Sequence, residues 1–225
     1  MKAVILAAGE GRKMRPLTLT APKPLLEVQG KKLIDYVFDA LPPEIDEVIV
    51  SVKYLADKIK SYLGDSHKGR KIHYVEGSEK GNAVGLLNAR EFFKEGERFF
   101  IFYGDEPQRR EEIEECLAHK FAWVCSRVSD PRTSGVAITD VQRRILEVIE
   151  KPELPKSNWS AMGTILVNTD IFSYQPELHS SGEYHLSSML NRFIKDHSVF
   201  MVFGKPRPPF RSPGDINWNM EDFLT

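Results

Sequence analysis

The stretch from Lys2 to Leu26 reads KAVILAAGEGRKMRPLTLTAPKPLL. It opens on an apolar run, Ala3 to Ala8, that suits a buried strand, although periodicity alone leaves a buried helix open. Gly9 ends the run, and Gly9-Glu10-Gly11 turns the backbone where no Cβ obstructs it. Arg12, Lys13 and Arg15 follow with three positive charges. Pro16 and the Pro22-Lys23-Pro24 bracket hold the next segment extended, because proline fixes its own φ and turns the preceding residue away from helix. A strand that ends in a glycine loop with free N–H groups and nearby cations suits a polyphosphate. An ordinary strand-to-turn connection with solvated charges would use the same residues. Two better-known loops are excluded: the dinucleotide fingerprint needs a third glycine where Met14 stands, and a P-loop needs Gly-Lys-Ser/Thr after four spacers.

Working outward, 225 residues suffice for one large domain or two small ones. An apolar share of 41% and a charged share of 28% place the chain among ordinary globular proteins. A net charge of −1 with no basic block argues against nucleic acid as a partner. No apolar run approaches the roughly 18 residues of a membrane span, and the N-terminus lacks a signal peptide's polar cleavage region. Cys116 and Cys125 form neither a metal spacing nor a disulfide framework, as expected of reduced thiols in a cytoplasmic protein.

Apolar positions Leu33, Ile34, Val37, Phe38 and Leu41 share one helical face, closed by Pro42-Pro43. Glu47 to Val52 is a second strand, and Leu55, Ile59, Tyr62 and Leu63 mark a helix stopped at Gly64. Lys71 to Val75 alternates as a strand. Asn82 is placed to cap a helix running through Phe93. Phe99 to Tyr103 is a central strand with Gly104-Asp105 at its carboxyl end. This β-α-β-α-β-α-β order predicts an α/β fold, a Rossmann-like, mostly parallel sheet flanked by helices on both faces. Ligands of such sheets bind at the carboxyl ends of strands, where Gly9 to Lys13 and Asp105 both lie.

The second half changes character. Ala122 to Ser126 and Gly163 to Asn168 read as strands, and Ser134 to Ile138 with Arg144 to Ile149 as a hairpin. Leu186, Met189, Leu190, Phe193 and Ile194 make an amphipathic helix, Ser198 to Phe203 a last strand, and Pro206 to Pro213 an extended loop. No repeat or linker divides the chain. One domain over 1–225 is expected, its halves meeting near residue 120 and the second, from about 121, adding a substrate lid to the sheet.

Asp105, after a strongly apolar strand and a glycine, is placed either to hold Mg²⁺ beside a phosphate or simply to close a turn. Glu106 beside it is an assistant or a solvated carboxylate. Glu150-Lys151-Pro152 closes the hairpin as an ordinary charged strand end. Asp215 is by itself a loop carboxylate, and His185 reads as a helix-start or core histidine.

Taken whole, Leu6 to Thr18 with Pro22-Lys23-Pro24 resembles the signature of the sugar-phosphate nucleotidyltransferases (nucleoside-diphosphate-sugar pyrophosphorylases), LAAGxGTRMxPLT followed by PKP. The usual Thr-Arg pair is Arg12-Lys13 here, so a lysine holds the position of the catalytic arginine. Gly214-Asp215-Ile216 through Glu221-Asp222 resembles the family's W-x-D-I segment, with Pro213 for the tryptophan and one residue inserted before Glu221. Glu150-Lys151-Pro152 resembles its E-K-P motif, Gly81-Asn82-Ala83 its G-T-A segment, and Glu183-Tyr184-His185-Leu186 its E-Y-Y-L stretch. Ala161 stands where N-A-G has its asparagine.

The resemblance implies the nucleotide-diphospho-sugar transferase fold and Mg²⁺-dependent transfer of a nucleoside monophosphate from a triphosphate to a sugar 1-phosphate, releasing pyrophosphate. It implies that Lys13 and Lys23 act on the reacting phosphates. Leu6, Ala8, Gly9, Gly11, Arg12, Gly81 and Asn82 would contact the nucleotide, so that the first half, about 1–120, is implied to be the nucleotide-binding one. Glu150, Lys151, Gly163 and Glu183 would bind the sugar phosphate, and Asp105 and Asp215 the metal. Two other readings stay open. One keeps the chemistry with CTP and a non-sugar phosphate such as phosphocholine or inositol phosphate. The other is a nucleotide-sugar-binding regulatory homologue without catalysis. Because Thr225 closely follows the last motif, a minimal catalytic domain is expected. A homodimer, the commonest symmetric assembly, also stays open.

Overall fold

The computed structural model describes residues 1–180 and 182–224. In the first half the chain runs through β1 (Lys2–Leu6), β2 (Glu27–Val28), β3 (Lys31–Lys32), α1 (Leu33–Ala40), β4 (Glu47–Val52) and α2 (Ala56–Leu63). It continues through β5 (Ser66–His67), β6 (Arg70–Glu76), α3 (Asn82–Leu87), β7 (Arg98–Tyr103) and α4 (Arg110–Leu117). The second half holds β8 (Ala122–Arg127), β9 (Gly135–Thr139), β10 (Ile145–Glu150), β11 (Trp159–Asn168), α5 (Leu186–Asp196), β12 (Phe200–Gly204) and α6 (Glu221–Leu224).

One large sheet has the order β10-β9-β11-β7-β1-β4-β6-β5, with β8 pairing β11 and β12 pairing β8. From β1 the chain steps outward to β4 and β6, then returns to the other side of β1 as β7; all three contacts are parallel. The gap between β1 and β7 is thus the topological switch point, where crossovers leave in opposite directions and open a crevice. The register fixes what meets there: Leu6 lies opposite both Ser51 and Tyr103. The Gly104 N–H then bonds the Leu6 carbonyl at 2.9 Å, setting Asp105 beside the loop that leaves β1.

Period-two side chains feed two cores. Ala3, Ile5, Phe100 and Phe102 face α1, α2 and α4, packing with Val37, Phe38, Ile59 and Ile113. Val4, Leu6, Phe99 and Ile101 face α3 and α5, packing with Leu86, Met189 and Phe193. Each fully buried Phe adds about 1.5–3 kcal/mol of apolar transfer. A third cluster joins Met14, Leu26, Leu33 and Tyr36 to Phe210, Met220 and Phe223, so the C-terminal segment lies against the signature loop.

The second half extends the same sheet. β11 runs antiparallel to β7 along one part of its length, and antiparallel to β8 on its other edge, with a register shift between Ala161 and Ile165. The predicted hairpin is β9–β10, and its turn folds back onto β12 through an Arg144–Phe200 bridge.

Four points depart from expectation. The segment after Pro16 is not extended but winds into 3₁₀ turns at Leu17–Leu19 and Lys23–Leu25, since proline's φ also suits a helical first turn. The helix placed over Asn82 to Phe93 ends at Leu87 and resumes only as a 3₁₀ turn at Arg90–Phe92. α4 was not expected, because Arg110 to Leu117 shows few apolar residues. β11 starts at Trp159, four residues before the predicted Gly163. Among the described residues, no helix is long and apolar enough to cross a membrane.

Candidate active site

The loop after β1 owes its shape to Gly11. Its φ is +61°, and a Cβ there would stand 3.0 Å from both the Lys23 Cβ and the Thr18 methyl. The Thr18 hydroxyl donates to the Gly11 carbonyl at 2.9 Å, and the Tyr54 hydroxyl to the Thr18 carbonyl at 2.7 Å. This folding draws the proline-bracketed Lys23 under the glycine loop. Its ammonium then reaches across the switch point to Asp105 Oδ2 at 2.6 Å, with 17% of the Lys23 side chain exposed. The two motifs that sequence placed at the carboxyl ends of β1 and β7 are therefore in direct contact.

Around this pair opens a cleft of about 880 Å³. The β1 loop lines it with Leu6, Ala8, Gly9, Gly11, Arg12 and Lys13, and the loop before α3 with Gly81 and Asn82. The facing wall carries Glu150, Lys151 and Glu183. Two of the predicted residues stay outside this lining, Gly163 and Asp215.

The cations differ in availability. Arg12 gives Nε to Glu10 at 2.7 Å and Nη2 at 3.3 Å, and Arg15 adds a contact at 3.2 Å. The Arg12 hydrogen bond is the chief reason the Glu10 carboxyl lies below the usual carboxylate range. Lys13 is exposed and bonds no other described residue. Lys151 has φ +43°, is half-exposed, and holds its ammonium 3.7 Å from Glu150 Oε1.

Asn82 does not cap its own helix. Its Oδ1 accepts the Leu186 N–H at 2.8 Å, satisfying the first turn of α5, and its Nδ2 approaches the Tyr103 hydroxyl at 3.3 Å. Gly81 is clasped by the same segment: Tyr184 N–H donates to the Lys80 carbonyl at 2.7 Å, and Ala83 N–H to the Tyr184 carbonyl at 3.2 Å. At φ +123° a Gly81 Cβ would lie 2.3 Å from that Tyr184 carbonyl, so only glycine fits. The segment with Glu183 and the segment with Gly81 thus form one unit. His185 is the residue before α5, matching the helix-start reading, and burial lowers its pKa.

Gly163 lies behind the cleft floor. Its N–H donates to Glu106 Oε1 at 2.7 Å, and a Cβ would meet the Tyr103 ring at 2.6 Å. Burial pushes the Glu106 carboxyl up, against the lowering pull of the Arg207 charge and the Gly163 N–H. Asp215 Oδ2 accepts the N–H groups of Arg211 and Ser212, each at 2.6 Å. Burial opposes its charge, but these donors and the Lys23 charge prevail and leave its carboxyl below the ordinary range.

Sequence reasoning missed Tyr103, Arg207 and Arg211, which all line the cleft. The arginines sit in the proline-rich segment 206–213, which has no periodicity to follow; two cations between four prolines were the only signal.

Glycine N–H groups, a lysine–aspartate pair and a facing Glu-Lys wall make a cleft suited to aligning two phosphorylated ligands. A sugar-1-phosphate nucleotidylyltransferase/acetyltransferase of Sulfurisphaera tokodaii, described as bifunctional, is 33% identical over 219 residues, 92% of this chain and 53% of that protein. The chain spans about half the length of this and similar relatives. The UTP–glucose-1-phosphate uridylyltransferase AglF of Haloferax volcanii is 30% identical over 218 residues, covering 87% of this chain and 84% of that one. A solved UDP-glucose pyrophosphorylase bound to UDP-glucose superposes with a TM-score of 0.83 over 96% of this chain and 95% of its own, at 18% identity, and so shares the fold. The nucleotidyl transferase family model matches residues 2–206, and the chain belongs to that family.

Proposed function

We propose that this cleft transfers a nucleoside monophosphate from a nucleoside triphosphate to a sugar 1-phosphate, releasing pyrophosphate. The observation that carries the reading is the Lys23–Asp105 pair beneath the glycine loop, at the switch point and facing Glu150-Lys151. The names of the S. tokodaii and H. volcanii relatives support it.

An oxygen of the acceptor's phosphate attacks the α-phosphorus of the triphosphate. The new P–O bond joins acceptor to nucleotide, and the bond between the α- and β-phosphates breaks. A phosphate monoester is already anionic at neutral pH, so the step needs no general base. The protein's work is alignment and charge neutralisation. N–H groups of the Gly9–Gly11 loop and the Lys13 ammonium hold the departing phosphates. Lys23 meets the α-phosphate and the incoming phosphate, while Lys151 holds the acceptor's phosphate and Glu150 and Glu183 accept sugar hydroxyls.

Mg²⁺ fits Asp105. The carboxylate opens on the cleft and already attracts one cation, and no cluster of three or more His, Cys, Asp or Glu forms a protein-only cage among the described residues. Mg²⁺ characteristically takes one or two carboxylates and completes its shell with phosphate oxygens and water. Asp215, with one oxygen committed to backbone N–H groups, is the second candidate ligand. When bound, the ion supplies neutralisation of the reacting phosphates.

The test is a matrix of ATP, GTP, CTP, UTP and dTTP against glucose, mannose, heptose and N-acetylglucosamine 1-phosphates and phosphocholine, with Mg²⁺, reading released pyrophosphate. At least one sugar phosphate pair is expected to react, and Asp105→Asn to abolish it. Silence with every sugar phosphate would contradict the reading, and a response to phosphocholine alone would replace the acceptor class.

A further inference from the structure

Lys13 stands at a signature position that the resemblance assigns to arginine. An ammonium is a point charge, whereas a guanidinium grips two phosphate oxygens at once. A phosphate cradle with a lysine there gains from a guanidinium supplied elsewhere. Three arginines line the cleft, and two are committed. Arg12 gives two nitrogens to Glu10. Arg207 is 5% exposed and pairs with Glu112 at 2.5 Å and Glu106 at 3.4 Å. Arg211 is exposed, and among the described residues its side chain donates only to the neutral Thr133 hydroxyl, at 2.7 Å. It joins no carboxylate among the described residues.

Its backbone borders the loop that follows β1, while its side chain reaches across the cleft mouth to Thr133. Phe210 and Met14 belong to one buried cluster, and Arg211 and Lys13 are their chain neighbours. The Arg211 N–H bonds Asp215, whose carboxylate feels the Lys23 charge. Pro206, Pro208, Pro209 and Pro213 stiffen the segment, so little backbone entropy is lost when Arg211 meets a ligand.

We propose that Arg211 binds the β- and γ-phosphates of the triphosphate together with Lys13 and supplies the planar fork that the signature position lacks. The inference rests on the nucleotidyl-transfer reading and names a residue for it. Arg211 reaches the phosphates from the C-terminal segment, while Lys13 reaches them from the β1 loop.

Inorganic pyrophosphate with Mg²⁺ is the probe, because it carries neither base nor sugar, and calorimetry reads its affinity. Arg211→Ala is expected to weaken binding by about tenfold, 1.4 kcal/mol. Arg211→Lys, which keeps charge and stem, should weaken it by about threefold. Lys13→Arg should bring Arg211→Ala back to within about threefold of wild type while changing the wild type less than that, the coupling expected of residues sharing one ligand. Arg211→Ala binding within about twofold of wild type would overturn the proposal, as would Lys13→Arg improving both backgrounds equally. If Arg211→Ala does not fold, the Arg211→Lys affinity decides. A wild type that does not bind pyrophosphate at all would overturn the nucleotidyl-transfer reading itself, a result distinct from a wild type that binds and an Arg211 that does not matter.

Discussion

Lys23 connects the two loops that define the site. Its ammonium, 2.6 Å from Asp105, neutralises a carboxylate that a divalent cation would otherwise attract. Opposite charges this close in a partly buried site are worth several times their value in water. Ammonium and metal would therefore compete for Asp105 unless a bound phosphate drew the lysine away. Lys23→Met should raise the affinity of the nucleotide-free protein for Mn²⁺ by about tenfold, measured by calorimetry. Unchanged or weaker binding would show that the pair does not compete with the metal. At this scale, sequence revealed Lys23 and Asp105 as separate candidates but not their contact. The same limit applies to Glu106, whose choice between assistant and solvated carboxylate is settled only by Gly163 and Arg207 folding over it.

Among elements, α3 and α5 are joined by one side chain. Asn82 begins α3 and caps α5 by accepting the Leu186 N–H. Asn82→Ala should cost about 1 kcal/mol of stability, the usual cost of losing such a cap. Urea unfolding reads this directly, and an unchanged midpoint would show that water replaces the cap. The apolar strands and most helices were legible because period-two and helical stripes survive in the sequence. Asn82 was assigned to its own helix because local rules see only neighbours, whereas its partner lies more than a hundred residues away. α4 escaped because Ile113 and Cys116 are almost its only apolar contacts to the core. Trp159 to Met162 escaped because the bulge between Ala161 and Ile165 interrupts the alternation.

Across the whole molecule, the carboxyl end of the strands, where the cleft opens, was legible from element order, but the switch point between β1 and β7 was not, since element order does not say on which side of β1 a later strand inserts. The closure of the C-terminal segment onto the signature loop was not, since Phe210, Met220 and Phe223 lie in stretches without periodicity. The charge balance of the assembled fold also predicts its alkaline limit. Burial foremost pushes Tyr62, Tyr74 and Tyr174 up to about 12 from the ordinary 10.0, with Asp35 reinforcing Tyr62 and Asp196 reinforcing Tyr174. Between these values the unfolded chain has released protons that the folded chain retains, so stability falls as pH rises. Denaturation midpoints should hold up to about pH 10 and drop toward pH 12, and Tyr62→Phe should make the drop shallower. A midpoint independent of pH across that window would contradict these environments.

The most direct measurement of the central claim follows the phosphorus. A productive triphosphate from the substrate matrix is supplied with label at the α- or the γ-position, together with its sugar 1-phosphate and Mg²⁺. Transfer at the α-phosphorus predicts α-label in the sugar nucleotide and γ-label in pyrophosphate, with neither product formed by Asp105→Asn. Label from the γ-position on the sugar, or released as orthophosphate, would contradict the account and assign the cleft to a kinase or a hydrolase instead.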